Sequence, residues 1–291
     1  MRICRFEPNR LGVVEGDQIA DVTDALSVLP SPGYPFPGHD LLIAHLATVR
    51  ARINQLLPTA RRVALASVRL ESPVANPGKI VNAPINYQAH IDESHKDKDL
   101  QQGIGGRPTS FIGDWGLFLK ANSALVGCGA EIQLRHPNRR NDHEVELALV
   151  IGKTARSVKR EDALSHIAGY AIGLDMTVRG PEDRSFRKSP DTYAVLGPWL
   201  VTADEIGDPG NLDLELSVNG EIRQRSNTRL LVYDVPRLIE YASAWYTLHP
   251  GDVILTGTPD GVGPVKPGDT IFARIEKIGE FRMRVADQYA E

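Results

Sequence analysis

Cysteine is scarce: the 291 residues hold two, Cys4 and Cys128. Their separation fits neither a disulfide framework nor a metal-ligand spacing, so both read as reduced structural thiols. No apolar run approaches the roughly 18 residues that span a bilayer. The first residues, MRICRFEPNR, lack the apolar stretch of a signal peptide, which makes the chain's expected location cytoplasmic. No block of lysine and arginine stands out. With a formal net charge of −4, no nucleic acid and no membrane partner is expected. Internal repeats and low-complexity tracts are missing too. What remains is an ordinary globular composition, 42% hydrophobic and 24% charged, long enough for a large domain with a small companion.

Residues 1–74 read as a small N-terminal α/β module. Short β-like pieces at 2–6, 11–14 and 19–22 are joined by turn formers such as Glu15-Gly16-Asp17. A Pro/Gly-rich stretch leads to one helix with Leu42, Leu46, Val49, Ile53 and Leu56 at helical spacing. A second cluster, SPVANPGKI, marks the boundary of a catalytic domain over 75–291. There, strands are expected at 79–82, 117–120, 145–151, 171–175 and 253–256. LDLELSVNGEIRQRS alternates around Asn219-Gly220, a type I′ hairpin signal. Helices are expected from Tyr87, over 160–167, and over 235–245 behind an Asp234 cap with Pro236 in the first turn. GDTIFARIEKIGEFRMRV reads as paired strands. Helices are too few for a doubly wound sheet, so the fold class is α+β and β-rich.

The stretch DHEVELALVIG reads as a buried strand, yet it carries Glu144 and Glu146 two residues apart. Alternation sets Glu144, Glu146, Ala148 and Val150 on one face and Val145, Leu147, Leu149 and Ile151 on the other. Two readings follow: a half-exposed strand with its glutamates in water, or a pair of carboxylates aimed at a cation. GYAIGLDMTVRG supplies a third acid, Asp175, amid apolar and small residues, where it either caps a turn or joins the pair. An all-carboxylate set without thiolate suits Mg²⁺, Mn²⁺ or Ca²⁺. His143 falls on the opposite face and reads as packing. In NYQAHIDES, His90 and Glu93 share one face of a helix, where a carboxylate orients an imidazole and raises its basicity. A chance surface pair is the other reading.

From Lys79 onward the chain resembles the fumarylacetoacetate hydrolase family. The landmarks are KIVNAPINYQAHIDES, LFLKANSALVG, DHEVELALVIGK, GYAIGLDMTVRG, RKSPDTYAVLGPWLV and LTGTPDGVGPVKPGD, in that order. Residues 1–70 are similar to the small N-terminal domain of some members. The resemblance implies a distorted mixed β-sandwich roll, a homodimer, and a metal, Mg²⁺ or alternatively Mn²⁺ or Ca²⁺, held by Glu144, Glu146 and Asp175. It also implies a His-x-x-Glu lid pair at His90 and Glu93, a metal-proximal Lys188 suited to an oxyanion, and substrate contacts at Arg179 and Thr258. The charged, then glycine-rich run ESHKDKDLQQGIGGRPTS suits a segment that orders over a ligand. Departures are Gly180 in place of the family's acid after Arg179, an altered lysine loop around Pro190, and a longer lid.

The function so implied is a metal-dependent hydrolase that cleaves a carbon–carbon bond in an acylpyruvate-like 2,4-dioxo acid, in aromatic-compound catabolism. The metal chelates the carboxylate and 2-oxo group of this small 2-oxo acid substrate. His90, oriented by Glu93, deprotonates water. Cleavage then expels a pyruvate enolate stabilised by the metal and Lys188. Decarboxylation or enol–keto isomerisation of a 2-oxo dicarboxylate at the same site is the alternative. A catalytically idle metal-binding scaffold is the rival of a different class.

Overall fold

The structure is a computed structural model, and it describes residues 1–97, 100 and 112–286. Among these, the largest sheet runs through ten strands: Arg62–Ala64, Gln18–Asp21, Arg10–Glu15, Arg2–Phe6, Ala194–Thr202, Ile167–Asp175, Val145–Ile151, Val253–Leu255, Ile80–Asn82 and Phe118–Lys120. Leu70–Glu71 and Leu125–Val126 pair off this path. The N-terminal strands are therefore hydrogen-bonded into the same sheet, with Arg2 opposite Val201 and Ile3 opposite Leu200. A three-stranded sheet (Thr177–Val178, Asn141–His143, Gly263–Pro264) and a four-stranded one (Glu221–Asn227, Asp213–Val218, Thr270–Ile275, Gly279–Arg284) complete a β-rich α+β fold.

Val145–Ile151 lies between Ile167–Asp175 and Val253–Leu255, and all seven of its residues are buried. Neither face of this strand meets water. Leu147, Leu149 and Ile151 enter one core with Tyr170, Ile239 and Ile254. Ala148 and Val150 enter a second core, to which Val49 and Ile53 of the N-terminal helix also belong. Each such apolar side chain contributes roughly 1.5–3 kcal/mol when fully buried. Both faces being covered explains the near-continuous apolar run.

Local signals act as chain physics dictates. Asn219 and Gly220 have φ of +52° and +84°, the pair of positive values that a type I′ turn requires. Helix Val235–Trp245 begins where the Asp234 carboxylate accepts from Arg237 N–H, and it buries Leu238, Ile239 and Ala242. Two expectations change. The single N-terminal helix is Leu41–Ala44 followed by Leu46–Leu56, because His45 leaves the helical region at φ −109°, ψ 21°. The segment Arg160–His166 is a 3₁₀ helix: Ser165 Oγ donates back to Asp162 O, and Ile167 already opens the long strand.

Asp40 joins the N-terminal helices to the following segment. One of its oxygens accepts from Ile43 N–H, and the other accepts from the N–H groups of Ala75 and Asn76.

Candidate metal centre and active site

Glu144 sits at the break between Asn141–His143 and Val145–Ile151, where the chain passes from the small sheet to the large one. The register sets Val145 against Leu174 and Glu146 against Gly173, which brings the end of Ile167–Asp175 beside the two glutamates. Asp175 N–H donates to Glu144 O at 2.9 Å. The outcome is three buried carboxylates, Glu144, Glu146 and Asp175, with ligand oxygens all within 4.8 Å of one another.

Cations from other elements surround them. Lys188 is 6% exposed, and its Nζ lies 2.6 Å from both Glu144 Oε2 and Asp175 Oδ2. Arg179 donates from Nη2 to Glu144 Oε1 at 2.9 Å and from Nε to Asp142 Oδ2 at 2.7 Å. Thr177 Oγ1 also donates to Glu144 Oε1. Burial alone would raise the Glu144 pKa, but Lys188 and Arg179 outweigh it and hold the group well below the usual carboxylate range.

Glu146 goes the other way. Burial, then Asp175 and Glu144, push its pKa well up. Lys188 and Arg179 therefore leave Glu146 short of positive charge. An all-oxygen donor set with that deficit fits a hard divalent cation.

His90 and Glu93 share a face of helix Gln88–Ser94, with His90 Nδ1 2.9 Å from Glu93 Oε2. Glu93 Oε1 accepts from Gly261 N–H at 3.0 Å, so the dyad is tied to the turn after Val253–Leu255. His90 and Thr258 line the same pocket as the three carboxylates, Arg179 and Lys188. The Thr258 hydroxyl donates to Val145 O and accepts from Gln224 Nε2, so its proton is already engaged. Most of the expected lid run over 93–110 falls at 98–99 and 101–110, outside the described residues.

The structure adds two residues that sequence reasoning missed. Lys120 has a fully buried ammonium that bonds Asp175 Oδ1, Tyr193 O at 2.6 Å and Met176 O at 3.3 Å. Burial lowers its pKa, and Lys188 adds to that while Asp175 opposes it. The available signal was alternation in FLK, which sets Lys120 on the buried side with Phe118. Gln224, in the solvent-facing-looking run EIRQRSN, is also fully buried. Its Oε1 accepts from Val145 N–H and faces His143 Nδ1, and its Nε2 reaches Thr258 and Pro259 O. His143 is thus a packing residue held by Gln224, as the alternation indicated.

Fold and site together define an enzyme whose buried three-carboxylate centre could hold a metal ion. Residues 79–286 match the family description "Fumarylacetoacetate (FAA) hydrolase C-terminal", and the chain belongs to the fumarylacetoacetate hydrolase family. It is a hydrolase of carbon–carbon bonds in ketonic substrates. It is 60% identical to a maleylpyruvate hydrolase of Aquipseudomonas alcaligenes, over 98% of this chain and 99% of the relative. A solved maleylpyruvate hydrolase from Sphingobium sp. SYK-6, in complex with manganese(II) and pyruvate, is 45% identical with a TM-score of 0.83, over 98% of this chain and 99% of that one. A mitochondrial oxaloacetate tautomerase of Bos taurus is 37% identical over 81% of this chain and 74% of the relative.

Proposed function

We propose that this enzyme hydrolyses maleylpyruvate or a closely related 2,4-dioxo acid to pyruvate and a carboxylic acid, with Mg²⁺ or Mn²⁺ at Glu144, Glu146 and Asp175. The observation that carries the reading is the His90–Glu93 dyad lining one pocket with a three-carboxylate centre and Lys188. The similarity to two maleylpyruvate hydrolases supports the substrate, and manganese in one of them supports the metal.

A divalent cation held by Glu144, Glu146 and Asp175 would supply Lewis acidity to the pyruvate end of the substrate. The chain's residues do the remainder. Glu93 fixes the imidazole of His90 through Nδ1, leaving Nε2 to take a proton from water. That water's oxygen forms a bond to the carbonyl carbon distal to the pyruvate end. The carbon–carbon bond beside that carbonyl then breaks, and its electron pair moves onto the pyruvate portion as an enolate. Lys188 Nζ meets the negative oxygen that develops there, and a proton delivered to carbon gives pyruvate. Arg179 holds Glu144 in place from the side away from Lys188.

We take 75–291 as the catalytic unit and 1–74 as its companion, a division supported by the family match beginning at residue 79. A homodimer in the cytoplasm completes the reading. Tautomerisation of a 2-oxo dicarboxylate is the second reading, favoured by the likeness to an oxaloacetate tautomerase.

A coupled assay for pyruvate release from maleylpyruvate, beside an ultraviolet assay for enol–keto conversion of oxaloacetate, both with Mn²⁺, decides between them. Pyruvate from maleylpyruvate at a turnover far above background supports hydrolysis. Enol–keto conversion of oxaloacetate without any hydrolysis of maleylpyruvate would replace it.

A further inference from the structure

Arg184 lines the same pocket as the three carboxylates but takes no part in holding them. It opens the four-residue helix Arg184–Arg187, capped by Asp183, which leads directly into Lys188. Arg184 and Lys188 consequently sit over one ring: the guanidinium carbon is 5.4 Å, and the ammonium 5.5 Å, from the centre of Phe118. Trp115 supplies a second ring, 5.2 Å from the Arg184 guanidinium carbon. Stacking of this kind positions a guanidinium, but it gives its five N–H donors no acceptor.

Among the described residues Arg184 has no ion pair and no hydrogen-bond acceptor. Its neighbours differ. Arg179 is paired with Asp142 and Glu144, Arg139 with Glu182, and Arg187 donates to the carbonyls of Glu182 and Val178. The indole N–H of Trp115 is also buried without an acceptor among the described residues. Burial, and then Arg187, depress the Arg184 pKa, and the charges of Glu144, Asp175 and Asp183 only partly oppose them. The pocket lining as a whole sets four cations (Arg179, Arg184, Arg187 and Lys188) against three carboxylates. Of these four cations only Arg184 is without an acceptor among the described residues, and the second carboxylate of a dicarboxylic substrate supplies one.

We propose that Arg184, stacked on Phe118 and Trp115, receives the second carboxylate of a 2,4-dioxo dicarboxylic acid, the one remote from its pyruvate end, and so determines substrate specificity. This rests on the acylpyruvate hydrolase reading of the same site. The planar guanidinium offers two parallel N–H groups to a carboxylate, a geometry that a neutral acyl tail cannot use. A neutral-tailed acylpyruvate therefore leaves this half-buried cation without an acceptor, and that cost discriminates against it.

The test compares maleylpyruvate with acetylpyruvate in wild type, Arg184→Met and Arg184→Lys. In Arg184→Met the maleylpyruvate-to-acetylpyruvate ratio of kcat/KM falls about 10- to 100-fold, as expected for one charge-assisted hydrogen-bonded contact, mainly through KM. Arg184→Lys recovers part of the ratio, because it keeps the charge and loses the fork. An unchanged ratio overturns the assignment, including the case where both substrates lose equally because the helix is disturbed.

A binding measurement separates this from the function itself. Calorimetry on Mn²⁺-loaded protein uses 2-oxopimelate and 2-oxoheptanoate, acids of equal carbon count that differ in the second carboxylate. Wild type prefers the dicarboxylate and Arg184→Met loses that preference, whether or not either acylpyruvate is turned over. A wild type without preference overturns the role of Arg184. Absence of hydrolysis with the preference intact overturns the hydrolase reading alone.

Discussion

Gly257 donates its backbone N–H to Glu146 Oε2 across 2.6 Å. Only a residue without Cβ suits that position: φ is +96°, and a Cβ there would lie 2.6 Å from Asn86 Cβ. The bond engages one oxygen of Glu146 and leaves the other for a cation. The site thus combines a fixed carboxylate geometry with an electrostatic deficit.

The first prediction follows from that pairing. Glu146→Gln keeps the shape and an oxygen for Gly257 but removes the charge. Calorimetric titration with Mn²⁺ should show affinity reduced by about tenfold or more, at least what the loss of an outer-shell partner costs. Metal-free stability should stay level or rise, because the repulsion of Glu144 and Asp175 is relieved. Equal Mn²⁺ affinities in mutant and wild type would remove Glu146 from the ligand set.

A second prediction concerns the thiols. Burial pushes both Cys4 and Cys128 up to about 12 from 9.0. The folded chain thus holds its thiol protons where the unfolded chain has released them. Their contribution to stability is fully present below pH about 9 and is lost as pH rises toward about 12. At pH 8.5 a thiol-specific disulfide reagent should label neither residue in the native protein and both in denaturant, since the thiolate is the nucleophile. Rapid native labelling at that pH would contradict the buried placement.

Much of this was legible because the relevant signals are local. Asn219-Gly220 demands positive φ at two consecutive residues, and Asp234 before Val235-Pro236 caps a helix. Neither depends on distant chain. Glu144 and Glu146 were visible as charges in an apolar run, but alternation alone left a solvated face open. The structure closes it because Ala148 and Val150 belong to a buried core that draws residues such as Ile3, Leu11, Val49 and Ile53 from far earlier in the chain. Lys120 and Gln224 escaped for the opposite reason. Each sits among ordinary polar and apolar neighbours, and its partners, Asp175 and Thr258, are far along the chain. Register between non-adjacent strands set those contacts, and a single sequence does not display register.

His90→Ala isolates the proposed base. The imidazole lies on the dyad with Glu93, whose second oxygen is anchored at Gly261, so its removal leaves the carboxylate centre and its cations standing. Hydrolysis should fall by about 10²–10⁴-fold, the usual contribution of a positioned general base. Mn²⁺ affinity should change little. Enol–keto conversion of oxaloacetate, which needs no activated water, should suffer less. Hydrolysis at the wild-type rate would exclude His90 as the base.

Lys188→Met is the sharpest test of how charge is divided in the site. A solvated surface lysine would change stability by within about 0.5 kcal/mol. Lys188 is buried, and its ammonium lies 2.6 Å from the carboxylates of both Glu144 and Asp175, so its removal leaves the two facing each other. Breaking one partner out of a buried ionic set costs on the order of 3–5 kcal/mol. Lys120 still grips the other oxygen of Asp175, which sets the expectation at the lower end of that range. Saturating Mn²⁺ should restore most of the lost stability, because it replaces the missing positive charge between the same oxygens. It should not restore turnover. The proposed task of Lys188 is to meet charge that develops only as the carbon–carbon bond breaks, and losing such a donor costs about 10²–10³ in kcat. KM should move less, since the ground-state carbonyl oxygen carries less charge than the enolate. Thermal melts with and without Mn²⁺, run beside steady-state kinetics on maleylpyruvate, separate the two effects. A variant that Mn²⁺ rescues in both stability and kcat would make Lys188 a placeholder for the metal's charge and not a participant in the reaction.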